Sequence, residues 1–202
     1  MTTVKEIPAK LVAELRARTG AGMMDCKKAL EETGGDLEKA VDVLRKKGAA
    51  KADKRAEREA SEGLIGHYVH HDGKQAVLVE LNSETDFVAR TEDFKTLARD
   101  LAMHIAAAKP IAVRVEDLPP ETIARERAVY EAQVAAQKKP ENIRAKIVEG
   151  MLKKFYEENV LLEQKFVKDD KRTVGDLVRD LAAKTGEKVQ VRRFVRFERG
   201  GK

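Results

Sequence analysis

Residues that could do chemistry are few in this sequence, and their spacing assembles neither a catalytic centre nor a metal site. Gly20-Ala21-Gly22 begins like a phosphate-binding glycine loop, but the third glycine is missing and no strand-like segment precedes it. His67 and His71 would share one face of a strand roughly 13 Å apart at ~3.3 Å per residue, whereas zinc holds its ligands at about 2 Å. We therefore predict no metal and no cofactor.

Two further reactive side chains fall on the apolar faces of predicted helices. His104 lies near Leu101 and Ala108, which favours a hydrogen-bonded structural histidine over a catalytic one. Cys26 lies on a short amphipathic helix, where a cysteine usually packs as a small hydrophobe. Because no grouping of Ser, His and Asp and no carboxylate pair stands out, we predict a binding protein without catalytic residues of its own.

The composition is that of a charged, helix-rich chain with a mild basic excess. Its 202 residues carry a net charge of +5, which permits an acidic or phosphate-bearing partner without requiring one. A single cysteine excludes an intramolecular disulfide, and no apolar run approaches the ~20 residues of a membrane helix. The first residues also lack the apolar core of a signal peptide. We expect a cytoplasmic protein with no membrane partner.

The most informative stretch is Asn82–Arg90, which follows a strand-like run and precedes a helix-like run. Thr85 is a good helix N-cap, and Asp86 suits the positive end of a helix dipole. Phe87 then falls at a sharp corner, in a chain with only 4% aromatic residues. It is either a local hydrophobic staple, the more common arrangement, or a projecting anchor for the pocket of a partner.

Met23 and Met24 form a second candidate contact. Adjacent methionines at the start of a helix cannot both face one small core, so at least one of them should be exposed. An exposed methionine is a soft, adaptable contact for a partner.

The elements that position these residues form an N-terminal three-helix domain over residues 1–48 and a charged linker over residues 49–62. The first helix is opened by Pro8 and stopped by Gly20, the second begins near Met23, and the third is capped by Asp36 and ends at Gly48. A helical bundle of this size has a small core and is only marginally stable, so we expect it to be stabilised by contact with a partner or with a neighbouring part of the chain.

Residues 63–202 are predicted to form an α+β core domain. A hairpin over residues 63–82, with a two-residue turn at Asp72-Gly73, should pair with a last strand over Val189–Phe197 into a three-stranded antiparallel sheet. Helices should begin after Thr91, at Pro120 and near Pro140; the latter two form an antiparallel pair over about residues 120–162, the first ending near Gln137. Gln164–Arg172 is predicted to be a polar loop. Thr173 and Asp176 form a capping box.

Three stretches that contain these residues resemble the signatures of one known family, bacterial elongation factor Ts. The similarity runs nearly end to end, and motifs of this length and order are specific. The stretches are Thr19–Leu30 (TGAGMMDCKKAL), Glu80–Arg90 (ELNSETDFVAR) and Leu161–Asp170 (LLEQKFVKDD).

The resemblance implies a guanine nucleotide exchange factor that binds GDP-loaded elongation factor Tu, releases GDP and lets GTP enter. It implies an N-terminal domain resembling a ubiquitin-associated domain, which contacts the nucleotide-binding domain of the partner through a face that we expect to include Met23 and Met24. A second motif would press on that domain and disturb its magnesium site, with Phe87 as the wedge. Its residues are Thr85, Asp86, Phe87 and Val88.

The sequence departs from the family pattern at two positions and resembles its compact form. Lys165 stands where many members have proline, and Val195 stands where a dimer-linking cysteine occurs in some compact members. In compact members a homodimer can supply a missing half of the core, which here would require strand pairing or packing.

The alternative function is a basic RNA-binding accessory protein of the translation apparatus. The lysines of the linker and three arginines near the C-terminus favour it, whereas the scarcity of aromatic residues for base stacking argues against it. We therefore expect a protein partner and not a nucleic acid. The arginines are Arg192, Arg193 and Arg196.

Overall fold

The computed structural model describes residues 7–55, 57–135 and 140–201. For residues 49–55 it describes the backbone but not the side chains. Helices and strands both occur, as the α+β prediction requires. The elements are α1 (Ala9–Thr19), α2 (Met23–Glu32), α3 (Leu37–Arg55), β1 (Glu62–Val69), β2 (Gln75–Ser83), α4 (Asp86–Ala89), α5 (Glu92–Ala108), a 3-10 helix (Val115–Asp117), α6 (Pro120–Ala135), α7 (Glu141–Asn159), β3 (Lys165–Phe166), β4 (Asp169–Thr173), α8 (Val174–Thr185) and β5 (Val189–Glu198).

The fold consists of two compact units. Within the described residues, the first unit combines the N-terminal part through Gly63 with Asn82–Phe94 and Val178–Gln190. The second unit combines Leu64–Leu81, Lys95–Leu177 and the C-terminal part from Val191. The domain boundaries at residues 48 and 62 remain predictions.

Three N-terminal helices form, and the predicted end of the first and the predicted cap of the third are confirmed. Gly20 adopts a φ of +67° after α1, and its N–H donates a 2.8 Å hydrogen bond to the carbonyl of Arg16. Asp36 caps α3, since its Oδ1 accepts the N–H of Lys39 at 3.1 Å. The helices bury a small apolar core that consists of Val12, Leu15, Cys26, Ala29, Leu30 and Ala40.

The predicted end of the third helix at Gly48 is wrong, because α3 continues to Arg55. One glycine costs a helix only about 1 kcal/mol relative to alanine, and the Ala, Lys and Arg residues that follow are strong helix formers. The first part of the predicted linker is therefore helical, although residue 56 lies outside the described residues.

The sheet has the predicted three strands in the order β1-β2-β5. The N–H of His70 donates to the carbonyl of Gln75 at 2.9 Å, which agrees with the predicted register. The predicted two-residue turn is wrong in length, because residues 71–74 all lie outside the strands. Asp72 accounts for the longer loop, since its Oδ1 accepts the N–H of Lys74 at 2.9 Å.

β5 changes its buried side partway along. Val189 and Val191 are buried, whereas Val195 and Phe197, which share their parity, are exposed. The alternation shifts by one residue at Arg192-Arg193, which are both exposed. Although the four apolar residues share a parity in the sequence, they therefore do not lie on one face of the sheet.

The predicted polar loop at Gln164–Arg172 is also wrong, because β3 and β4 form a short antiparallel hairpin there. A strand of two residues has no detectable period, and Phe166 is the one apolar residue of β3 and is buried. The capping box that follows is confirmed, since Asp176 accepts the N–H of Thr173 at 2.9 Å and Thr173 Oγ1 accepts the N–H of Asp176 at 3.1 Å.

His104 is the buried, hydrogen-bonded structural histidine that its position predicts. Its Nδ1 accepts the N–H of Val167 at 3.3 Å, so its Nε2 carries the proton and donates to Oε1 of Gln164 at 3.0 Å. Gln164 in turn donates to the carbonyls of Ala108 and Glu158. Burial lowers the pKa of His104, partly offset by the bond to Gln164, and favours the neutral ring that this network needs.

α6 and α7 pack against each other as the predicted helical pair. α6 begins at Pro120 and α7 follows Pro140, as proposed, while the predicted end near Gln137 lies outside the described residues. Ion pairing between Arg127 and Glu149 at 2.7 Å joins the two helices. Their shared core contains Tyr130, Val134, Ile147, Val148, Met151, Leu152 and Tyr156. Among the described residues, no helix is both long and apolar enough to cross a membrane.

Gly66 is the point where the second unit tolerates no side chain. A Cβ added to Gly66 of β1 would lie 2.5 Å from the carbonyl oxygen of Ala98 in α5. We predict that Gly66→Ala lowers the free energy of unfolding by about 1–3 kcal/mol, because backbone or helix must shift. Urea denaturation measures the loss.

Gly150→Ala is the matched control for Gly66→Ala. Gly150 lies inside α7, and an added Cβ would meet nothing within 4 Å. This variant should be unchanged or more stable by about 0.5–1 kcal/mol, since alanine is the better helix former. Equal stability of wild type and Gly66→Ala would contradict the prediction, because the close approach of Gly66 to Ala98 would then not limit the side chain at this position.

Candidate partner-binding site at the strand-to-helix corner

The corner after β2 holds an aromatic side chain in solvent. α4 is a single helical turn, Asp86–Ala89, in which Ala89 is buried and Phe87 is 77% exposed. A ring with this exposure is not packed as a local staple, so that interpretation is wrong. Full burial of a Phe side chain is worth roughly 1.5–3 kcal/mol, and this gain is left available for contact with another molecule.

Thr85 occupies the N-cap position of α4 as predicted, but its hydroxyl does not cap the helix. The hydroxyl donates instead to Oε1 of Glu187 at 2.7 Å, and the backbone N–H of Thr85 donates to Oε2 of the same carboxylate at 3.0 Å. One carboxylate thus holds both polar hydrogens of the residue that enters α4. Ser83 fixes the same residue from the other side, since its hydroxyl donates to the Thr85 carbonyl at 2.9 Å.

A second carboxylate ties the preceding residue to the same segment. Oε1 of Glu84 accepts the backbone N–H of Lys188 at 2.5 Å and the guanidinium of Arg58 at 3.3 Å. The ammonium of Lys188 donates to the carbonyl of Arg58 at 2.7 Å. Two adjacent residues of the corner, Glu84 and Thr85, are therefore bonded to two adjacent residues after α8, Glu187 and Lys188.

The C-terminal end of α4 is also fixed by hydrogen bonds. Thr91 Oγ1 donates to the carbonyl of Val88 at 2.8 Å and accepts the N–H of Phe94 at 3.4 Å, as the predicted cap of α5 requires. Asp86 forms an exposed ion pair with Arg90 at 2.6 Å, a type worth at most about 1 kcal/mol. The turn that carries Phe87 is thus constrained at both ends.

The second candidate contact lies at the start of α2. Met23 and Met24 are 52% and 62% exposed, so both side chains are accessible and not only the one that the sequence requires. The loop before them is ordered by Thr19, whose Oγ1 accepts the N–H of Ala21 at 3.3 Å. Cys26 is buried below this loop, and its burial raises the pKa of the thiol, which fits the predicted packing role.

Both candidate contacts belong to the first unit. A Cβ added at Gly20, in the loop before α2, would lie 3.2 Å from the aliphatic carbons of Lys184 in α8. The ammonium of Lys184 forms an ion pair with Asp93 at the start of α5. The loop before α2 therefore lies beside Lys184 of α8, and Lys184 links α8 to the start of α5.

Glu187 and Lys188 were missed by sequence reasoning. They follow Gly186, the predicted stop of α8, in a polar stretch with no periodic pattern. A carboxylate 102 residues from its hydrogen-bond donor leaves no local signal in a single sequence.

A candidate metal centre is absent from the part of the chain that the structure describes. No group of three or more His, Cys, Asp or Glu residues in this part of the chain is placed to hold a metal ion. A groove of about 570 Å³ in the second unit runs along β1 beside Lys95 and Arg99, and His67 and Tyr68 are among the residues that line it.

The arginines that favoured RNA are largely engaged in ion pairs. Arg193 lies 2.7 Å from Glu80, Arg192 lies 3.9 Å from the same residue, and Arg196 pairs with Glu198. Because Arg192 and Arg193 share the single carboxylate of Glu80, their positive charge is only partly neutralised.

The chain is similar over most of its length to proteins of one known family. Residues 26–201 match the family described as Elongation factor TS. The elongation factor Ts of Thermosipho melanesiensis is 56% identical over 194 residues, which cover 96% of this chain and 99% of that protein. For Nitratidesulfovibrio vulgaris the identity is 58% over 96% of this chain and 97% of that protein. For Desulforamulus reducens it is 56% over 96% and 90%. The chain belongs to the elongation factor Ts family.

Proposed function

We propose that this chain is a cytoplasmic guanine nucleotide exchange factor that binds GDP-loaded elongation factor Tu and promotes GDP release. The observation that carries the proposal is the 77% exposure of Phe87 on a hydrogen-bonded corner of a member of the elongation factor Ts family. Thr85–Val88 would press on the nucleotide-binding domain of the partner and disturb its magnesium site. Phe87 is the wedge and Asp86 its polar companion.

A protein without a phosphate site can govern a nucleotide on its partner through linkage. If the chain binds nucleotide-free elongation factor Tu more tightly than the GDP-loaded form, GDP weakens the chain by the same factor that the chain weakens GDP. Phe87 serves this purpose when its pocket exists in the nucleotide-free partner and is closed in the loaded one. The chain then needs no catalytic residue, metal or cofactor of its own.

The energies require more than one contact. A thousandfold faster release needs about 4 kcal/mol of differential stabilisation, at about 1.4 kcal/mol per tenfold. Burial of one Phe contributes roughly 1.5–3 kcal/mol. We therefore assign the exposed Met23 and Met24 to holding the partner while Phe87 acts. Polarizable, flexible methionines suit a surface that must follow a partner whose shape changes during exchange.

The first test is the release of a fluorescent GDP from elongation factor Tu, followed by stopped flow. Phe87→Ala should lower the maximal release rate by about tenfold or more, because about 1.4 kcal/mol or more of wedge contact is lost. Ile111→Ala removes another exposed apolar side chain, 57% exposed in the second unit, and should leave the rate unchanged.

The same assay separates the two contacts. The double variant Met23→Ala/Met24→Ala should raise the half-saturating concentration more than it lowers the maximal rate, since it removes holding contacts. If wild type does not accelerate release, the exchange function is wrong for this chain. If wild type and Phe87→Ala accelerate release equally, the exchange function is supported and the role of Phe87 as the wedge is wrong.

We also propose that the chain forms a homodimer through the outer face of its sheet. Val77, Val79 and Leu81 are buried on the inner face, whereas exposed apolar side chains cover the outer one. The N–H of Arg199 donates to the carbonyl of Lys74 at 2.8 Å and so brings the end of β5 beside β2. The outer residues are Ile65, Val69, Leu78, Val195 and Phe197.

An apolar face of this kind suits a second copy because packing two such sheets face to face would remove both from water. The ion pair between Glu80 of β2 and Arg193 of β5 can serve as a polar rim beside this face. Because Val195 stands where some compact members have a dimer-linking cysteine, this dimer would form by packing or strand pairing without that covalent link.

Phe197→Asp should weaken the dimer at least about hundredfold, because a two-fold interface contains each substitution twice and each places a charge against an apolar surface. Sedimentation velocity over a concentration series measures this. Val129→Asp changes a half-exposed valine of α6 and should leave association intact. A wild-type chain that is monomeric throughout the series would overturn the proposal.

A further inference from the structure

We propose that Glu187 is a positioning residue for nucleotide exchange, acting through Thr85 to hold Phe87 in the orientation that a partner meets. The inference rests on the proposed exchange function. Glu187 lies outside the Thr85–Val88 motif but bonds its first residue, and its role is to fix the backbone from which Phe87 projects. This assigns a function to a residue outside the Thr85–Val88 motif, 100 positions beyond Phe87 in the sequence.

The geometry is that of a two-point clamp. Oε1 of Glu187 accepts the hydroxyl of Thr85 at 2.7 Å and Oε2 accepts its backbone N–H at 3.0 Å. The N–H bond sets the peptide plane that enters α4, and the hydroxyl bond fixes the side chain on the same residue. Because Phe87 lies two residues later in a single helical turn, a rotation at Thr85 would redirect the ring.

In this geometry each of the two donors meets a different oxygen of the carboxylate. An ionised carboxylate is acceptor-only and offers two oxygens, whereas an amide offers one oxygen and an NH₂ group that cannot accept. Glutamine can therefore keep one of the two bonds, and alanine keeps neither. Bonds to an ionised acceptor are also stronger than neutral ones, which suits a fixed turn with little apolar packing of its own.

The clamp is itself held in place. Gly186 ends α8 with a φ of +78°, and the N–H of Glu187 donates to Oγ1 of Thr185 at 3.4 Å. The next residue, Lys188, donates its N–H to Glu84, the neighbour of Thr85. The corner and the segment after α8 are thus joined by two adjacent residue pairs that run antiparallel, Glu84 with Lys188 and Thr85 with Glu187. Of these two pairs, the second holds the residue that enters α4.

A role through Phe87 differs from a general loss of structure in its kinetics. Glu187→Ala should lower the maximal rate of GDP release by about fivefold, because two hydrogen bonds at the corner are lost. The half-saturating concentration should change less than twofold, since Met23 and Met24 are untouched. Glu187→Gln should recover part of the lost rate through its single acceptor oxygen.

A double-mutant cycle gives the decisive measurement. Release of fluorescent GDP from elongation factor Tu is followed by stopped flow with wild type, Phe87→Ala, Glu187→Ala and the combined variant. If Glu187 acts through Phe87, adding Glu187→Ala to Phe87→Ala changes the residual rate by less than about 1.5-fold, and the two effects are strongly non-additive. Additive effects would overturn the inference.

Matched controls separate the remaining outcomes. Glu149→Ala removes a glutamate that also bonds one partner, Arg127 of the helical pair, and should keep the wild-type rate. Thermal unfolding of Glu187→Ala close to that of Glu149→Ala shows that the fold is retained. If Glu187→Ala exchanges like wild type while Phe87→Ala is slow, the clamp is wrong and the exchange function stands. If wild type itself is inactive, the proposed function has failed.

Discussion

An apolar ring that must stay in water is the constraint on which this structure depends. Phe87 gains nothing from its own fold, so the turn that carries it has to be fixed by other means. Hydrogen bonds supply the fixation: Glu187 and Ser83 hold Thr85, Glu84 is tied to Lys188, and Thr91 closes the exit. Bonds to backbone groups set direction, which apolar packing around a four-residue helix cannot do.

The proposed exchange function would make use of this arrangement. An exposed ring held in advance pays little conformational entropy when a pocket opens around it, so more of its burial remains as binding free energy. The methionines at the start of α2 are a contrasting surface, flexible and adaptable. In the proposed exchange, Phe87 would supply discrimination between the two states of the partner and the methionines would supply affinity, and all three residues belong to the first unit.

Much of the fold could be predicted from local signals. Gly20, Asp36, Thr91 and the Thr173 capping box ended or began helices where their chemistry requires, and β5 joined the hairpin. The failures have physical causes. Gly48 was outweighed by the helix formers around it, the two residues of β3 were too few to show a period, and β5 changed its buried side at two adjacent arginines.

Of the candidate site, the sequence predicted the corner and Phe87 but not Glu187. The corner and Phe87 stood out because an aromatic residue in a turn is unusual in a chain with so few, but the pattern alone favoured a staple. Exposure decided between the two interpretations. Glu187 could not be found because its donors lie 102 residues away and a glutamate after a helix stop is ordinary.

The most direct test of the central claim is thermodynamic. The chain and its Phe87→Ala variant would each be titrated calorimetrically into nucleotide-free and GDP-loaded elongation factor Tu. If the held ring opposes GDP, wild type binds the nucleotide-free partner at least about a hundredfold more tightly, and the variant loses about tenfold of that preference. An unchanged preference in the variant would contradict the account, because Phe87 would then contribute affinity without distinguishing the two states of the partner.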